Sequence, residues 1–220
     1  MSAEPRTSGQ NTSELLADRA YAALRDRIVA LRIAPGAPIN EDALGRELDM
    51  GRTPVREAIK RLALENLVTV FPRRGTFASE INITDLAHIS DVRQQLESHA
   101  ARRAAERLTA ARGQELAALL ERVDAPDGAA RDELMALDAD IHRFVHRASA
   151  NPYLEETLAR YFNLSLRIWY LVLDRLPHLT ERVREHRALL EAIRDGDADR
   201  AGRIAAEHVG TFATEIRSVL

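Results

Sequence analysis

From Thr84 to the C-terminus the chain carries no strand signal. Apolar residues recur every three or four positions in six runs, at roughly 84–108, 112–123, 129–149, 152–175, 179–195 and 197–219. That is the period at which side chains return to one face of a helix. The breaks are short: Asp124–Gly128, Asn151-Pro152, Pro177 and Gly196-Asp197. Short loops between long helices make neighbours antiparallel, so residues 81–220 are expected to form an all-α antiparallel six-helix bundle.

Residues 1–80 read differently. Residues 1–13 are polar and are expected to be a disordered tail. In 14–80, Leu16, Ala20, Leu24, Ile28 and Leu31 mark a first amphipathic helix, ended by Pro35-Gly36 and Pro38. Asn40 is a good N-cap for a short second helix in which Ala43, Leu44 and Leu48 are expected to face inward. A third helix starts after Gly51. Its Val55, Ala58, Ile59 and Leu62 share one arc, while Arg52, Arg56 and Lys60 form a separate basic stripe. Pro54 falls in the first turn, where a missing N–H costs nothing. Val68–Phe71 and Thr76–Ser79 then read as strands joined by Pro72-Arg73-Arg74-Gly75, a basic hairpin tip with a glycine free to take φ > 0. This order is that of a winged helix-turn-helix, α with a small β-hairpin wing. The whole chain is therefore mainly α.

Charge supports that reading locally rather than globally. The net charge is −3, which excludes a basic nucleic-acid coat. Arg52–Arg74, however, carries six basic residues against two acidic. Such a concentration is the footprint a phosphate backbone requires, and arginine forks onto guanine O6 and N7 in the major groove. There is no cysteine, so disulfides and thiolate metal sites are excluded. With no secretory h-region and no 18-residue apolar run, a cytoplasmic protein with no membrane association is expected.

Polar residues on the inward faces of the bundle carry the remaining information. His186 lies at the centre of the arc formed by Val183, Leu189, Leu190 and Ile193. His208 lies within the arc of Ala201, Ile204, Phe212, Ile216 and Val219. The two are eleven positions either side of the turn at Asp197, so they are level in an antiparallel hairpin. Asp138 and His142, at i and i+4, edge the inner face of the third bundle helix. Three imidazoles and a carboxylate suit a divalent ion such as Zn, Ni, Mn or Fe. His146 also has a metal spacing from His142 but is rotated further from the apolar arc, and His88, His99 and His178 fit no constellation. Arg93 shares the inward face of the first bundle helix. Either it pairs with Glu97 four residues on, or it holds a ligand carboxylate bidentately. Arg167, on a helix apolar round most of its circumference, is a further candidate for lining the cavity.

The motifs carry a resemblance. Arg52-Thr53-Pro54-Val55-Arg56-Glu57-Ala58-Ile59-x-Arg61-Leu62, with Pro35-Gly36 before it and Pro72-Arg73-Arg74-Gly75-Thr76-Phe77 after it, resembles the DNA-binding domain of the GntR family of bacterial transcription regulators. The resemblance implies that Arg52, Thr53 and Arg56 contact DNA from the recognition helix and that Gly75 lets the wing tip enter the minor groove. Gly51 stands where the family usually has Ser. Asp42 stands where some relatives carry a basic DNA-contacting residue. The bundle is similar to the FCD ligand-binding domain of the FadR subfamily in its six-helix form. The matching stretches are Val92-Arg93-x-x-Leu96-Glu97, Leu137-Asp138-x-x-Ile141-His142, Glu185-His186-x-x-Leu189 and His208, with Ile141 in place of the usual Phe. It implies that Asp138, His142, His186 and His208 bind a metal with a small carboxylate effector beside it.

The expected protein is a homodimeric, ligand-responsive regulator, a repressor rather than an enzyme, that binds a pseudo-palindromic DNA operator. The alternatives at this point are a sensor for which the ion itself is the signal, and a metal-dependent enzyme built on the bundle.

Overall fold

The computed structural model describes residues 8–124, 128–175 and 178–219. Residues 1–7 of the expected tail, 125–127 in one expected break, and Pro177 lie outside the described residues. Two compact units are present. One comprises residues up to Asn82 together with Leu166–Leu171, and the other comprises Ile83–Ser165 and Val172–Leu220.

The first unit runs α1 (Ser8–Val29), β1 (Pro38–Ile39), α2 (Glu41–Glu47), α3 (Arg52–Leu64), β2 (Val68–Phe71) and β3 (Gly75–Ala78). Helix α1 begins at Ser8, inside the stretch expected to be a tail. Asn40 caps α2 by accepting from Ala43 N at 2.9 Å, whereas Gly51 gives α3 no side-chain cap. One expectation is corrected: Ala43 is exposed, and the buried neighbour of Leu44 is Gly45. A Cβ on Gly45 would stand 2.9 Å from the Met50 carbonyl oxygen, so the turn into α3 closes against a bare helix backbone. The core joins Ala20, Leu24 and Ile28 of α1 to Val55, Ala58, Ile59 and Leu62 of α3, with Leu67 and Val68 beneath. Each large aliphatic side chain here contributes about 1.5–3 kcal/mol relative to exposure.

The wing is a three-stranded antiparallel sheet in the order β1-β3-β2. Val68 pairs with Ala78 and Phe71 with Gly75 across the hairpin, and Ile39 pairs with Thr76 on the other side. Strand β1 was not expected, because two residues show no alternation. Its Pro38 sits where a proline is tolerated, on an edge strand. At the tip Gly75 has φ +105, as expected, and Arg73 also takes positive φ, at 62.

The second unit contains α4 (Asp85–Glu106), α5 (Ala110–Asp124), α6 (Arg131–Ala148), the part of α7 (Pro152–Val172) outside Leu166–Leu171, a 3-10 turn (Leu173–Arg175), α8 (Leu179–Arg194) and α9 (Ala198–Val219). Asn151 caps α7 by accepting from Tyr153 N and Leu154 N, with Pro152 in the first turn. Among the described residues, the most extensive helix packing is that of α4 on α9. Their buried faces are small, with Ala100, Ala101, Ala104 and Ala105 on α4 and Ala201, Gly202 and Ala205 on α9. Small side chains let the two backbones approach, while the polar interior is built by Arg93 and Glu97 of α4 with α6, α8 and the far end of α9.

Candidate DNA-reading face and metal centre

Helix α3 buries Pro54, Val55, Ala58, Ile59 and Leu62 and leaves Arg52, Thr53, Arg56 and Lys60 exposed. The basic stripe read from the periodicity is thus a solvent-facing surface, with Arg52 and Lys60 more than 70% exposed. Every basic group on it meets a carboxylate. Arg52 Nε lies 3.0 Å from Asp42 Oδ1, Arg56 Nε lies 3.0 Å from Glu41 Oε2, and Lys60 Nζ lies 2.8 Å from Glu57 Oε1. Glu41 and Asp42 form the first turn of α2, so that helix presents two acids to α3. At the wing tip Arg73, Arg74 and Gly75 are exposed, and the Arg74 guanidinium lies over the Phe71 ring at 5.6 Å.

In the bundle, Asp138, His142, His186 and His208 each offer a ligand atom, all within 4.8 Å of one another. Helix α6 supplies the first two, one turn apart on its buried face, and α8 and α9 supply one histidine each. The level placement expected about Asp197 holds, with the His186 and His208 ring centroids 4.3 Å apart. Asp138 is fully buried, and neither of its carboxylate oxygens has a hydrogen-bond partner. A bare buried carboxylate is strongly disfavoured unless a cation meets it. His186 Nε2 lies 3.4 Å from Asp138 Oδ1 and is also without a hydrogen bond.

Ring orientation fits the same use. His186 Nδ1 lies 3.2 Å from the Val183 carbonyl, which can only accept, so Nδ1 carries the proton and Nε2 keeps its lone pair. His142 Nδ1 faces Glu97 Oε1 at 3.4 Å, and His208 Nδ1 faces Glu185 Oε2 at 3.9 Å. An acceptor behind one ring nitrogen is the usual way of presenting the other to a metal. Burial pushes the His186 imidazole down to about 4. Burial, with His186 and His142 nearby, also holds His208 well below its ordinary value. Both are therefore neutral, the form that binds metal. The four residues fit a divalent ion.

A second buried group lies beside the first. Glu97 accepts from Arg93 Nη2 at 2.7 Å through Oε1 and meets His146 Nε2 at 3.0 Å through Oε2. Glu97, His142 and His146 are also close enough to share an ion. However, both Glu97 oxygens are engaged and Arg93 already balances its charge, so this set needs no cation, unlike Asp138. Burial drives the Glu97 carboxyl upward, but His146, His142 and Arg93 together hold it well below the ordinary range. His146 is itself buried and pushed down by burial. Glu97 links Arg93, His142 and His146, a role missed in the sequence, where it stood only as an ion-pair partner for Arg93. Its signal was an acid on an otherwise apolar helical face.

Arg93 thus makes the Glu97 pair, both groups buried. Arg167 Nη2 donates to the Ser79 carbonyl at 2.6 Å. A groove of about 220 Å³ between α8 and α9 is lined by Glu185, His186, Glu207, His208 and Thr211, so two of the four candidate ligands lie in its wall.

The family model described as bacterial regulatory proteins, gntR family, matches residues 16–78, and the FCD domain model matches residues 88–211. This chain belongs to the GntR family, with an FCD C-terminal domain. That places it in the FadR subfamily of transcription regulators, which are not enzymes. This GntR regulator is 26% identical over 211 residues to the HTH-type transcriptional repressor RspR of Escherichia coli K12, covering 95% of this chain and 92% of RspR. It is 28% identical over 178 residues to E. coli McbR, covering 80% of each. Among solved structures, E. coli McbR/YncC shares the fold with a TM-score of 0.80 at 23% identity, covering 92% of this chain and 97% of that one. A GntR regulator from Rhodococcus sp. RHA1 does so with a TM-score of 0.69 at 20% identity, covering 93% and 98%. The winged unit and the helical bundle are therefore the two halves of a bacterial DNA-binding regulator. No helix among the described residues is long and apolar enough to cross a membrane.

Proposed function

We propose that this GntR regulator is a cytoplasmic repressor that binds a pseudo-palindromic operator as a homodimer and is released from it by a small carboxylate effector. Arg52, Thr53, Arg56 and Lys60 read the major groove from α3, while Arg73, Arg74 and Gly75 approach the minor groove. The exposed basic stripe supports the first assignment. The positive φ of Gly75 at a basic tip supports the second. The similarity to RspR, a transcriptional repressor, supports the sign of regulation.

Asp138, His142, His186 and His208 hold a divalent ion, and the observation that carries this is the unpartnered buried carboxylate of Asp138. The ion supplies open coordination positions and positive charge for an anionic effector. The protein alone offers an anion little. Arg93 is paired with Glu97, Arg167 is drawn to the Ser79 carbonyl, and Glu185 and Glu207 line the groove. Carboxylate binding should therefore require the metal. Binding then shifts the equilibrium between conformations with different operator affinity.

The acidic groove also favours a second reading, in which the ion itself is the signal. Fluorescence anisotropy of labelled operator, with the metal-free and metal-loaded protein and a panel of small carboxylates, separates the two. The proposal expects the carboxylate to lower operator affinity only when metal is present. Release by metal alone would favour the sensor, and release by carboxylate without metal would contradict the proposed site.

A further inference from the structure

Two acids at the start of α2 hold two of the arginines of α3, Arg52 and Arg56. The Asp42 pair is the more telling. Arg52 meets it along one edge of the guanidinium, Nε to Oδ1 at 3.0 Å and Nη2 to Oδ2 at 3.4 Å. Guanidinium has five N–H donors in a planar fork. With the Nε/Nη2 edge on the carboxylate, Nη1 and the second Nη2 hydrogen still point away as a pair. That pair is what guanine O6 and N7 accept. The carboxylate and a guanine can therefore hold the same side chain at once, from opposite sides. Glu41 treats Arg56 in parallel. Its Oε2 takes Arg56 Nε, and its Oε1 lies 3.5 Å from Thr76 Oγ1 on β3, which ties the pair to the wing sheet.

We infer that Asp42 is a positioning residue for base reading: it fixes the Arg52 fork for guanine and, as an acid at the DNA face, weakens binding to any other sequence. The inference rests on the proposed placement of α3 in the major groove. Arg52 is 72% exposed and would otherwise sample many rotamers, all of them able to touch phosphate. A buttressed fork has lost that freedom before DNA arrives, so less ordering is left for the moment of recognition. The half-exposed carboxylate meanwhile repels phosphate wherever the guanine contact is not made. General affinity falls and discrimination rises.

The test uses duplexes selected by the full-length wild type from a randomised pool, with binding measured by anisotropy at two salt concentrations. Wild type, Asp42→Ala, Asp42→Asn and Arg52→Ala are compared on the selected duplex, on its single-base variants and on random duplex. The position read by Arg52 is the one at which Arg52→Ala loses base preference. At that position Asp42→Ala should lose preference by about five-fold or more, on the scale of a bidentate base contact. It should also bind random duplex more tightly than wild type. Asp42→Asn, which keeps one acceptor, should fall between. Wild-type preference in Asp42→Ala, with Arg52→Ala impaired, overturns this inference alone. Unchanged selected-duplex affinity in Arg52→Ala overturns the reading of α3 and this inference with it. Asp42 is half exposed and packs into no core, so thermal unfolding of the variants should match wild type and tie any loss to recognition.

Discussion

Asp138 is the residue on which the bundle turns. It has no exposed surface and no hydrogen bond to either oxygen, and three imidazoles stand round it. Burial holds two of them, His186 and His208, below their ordinary value, with a consequence in the metal-free protein. Burial lowers the His186 imidazole from 6.5 to about 4. The unfolded chain therefore binds protons that the folded chain refuses, and stability rises with pH across that interval. Acidifying the metal-free protein from about 6.5 towards about 4 should lower its denaturation midpoint, with His208 acting in the same direction. Glu97 acts in the same direction, at lower pH. Its depressed carboxyl contributes stability above its unfolded value, lost only at lower pH as the folded carboxyl takes up its proton. Chemical denaturation of wild type and His186→Gln at stepped pH checks this, and the variant should show a shallower loss in the upper interval. The candidate ligands were legible in the sequence because each is a polar residue on an otherwise apolar helical arc. Glu97 was not, because an acid four residues from an arginine has a sufficient partner within its own helix, and its contacts with His142 and His146 of α6 are tertiary.

At the scale of elements, the sequence was most legible where a pattern spans many residues. The six bundle helices fall within a few residues of their expected limits, and Asn40 and Asn151 cap the helices they precede. The level pairing of His186 with His208 followed from counting outward from one turn. Strand β1 was invisible because its two residues belong to the sheet only through β3. Ala43 was misplaced for a related reason. In a helix of seven residues periodicity barely repeats, and the close approach of Met50 to Gly45 decides which side is inside. Close approach also governs α4 and α9, where a larger side chain has nowhere to go. Ala104 of α4 is fully buried. Ala104→Leu should destabilise the protein by about 1–3 kcal/mol through overpacking, read as a lower denaturant midpoint. The exposed substitution His99→Leu on the same helix should leave it within about 0.5 kcal/mol.

The whole molecule joins a DNA-binding winged unit to a bundle whose buried Asp138, His142, His186 and His208 are consistent with a metal site. Family membership makes it a regulator, and the residues say how regulation could work. The exposed arginines Arg52 and Arg56 of α3 are engaged by acids of α2. In the bundle Arg93 is paired with Glu97, and the proposed anionic effector is expected to meet its positive charge in an ion. The claim at the centre is therefore the metal on Asp138, His142, His186 and His208. Elemental analysis of the purified full-length protein, beside His186→Ala and Asp138→Ala, tests it most directly. The account predicts a stoichiometric divalent ion in the wild type and its loss in both variants. A wild type that stays metal-free after incubation with Zn, Ni, Mn or Fe, or a full ion content in the variants, would contradict it.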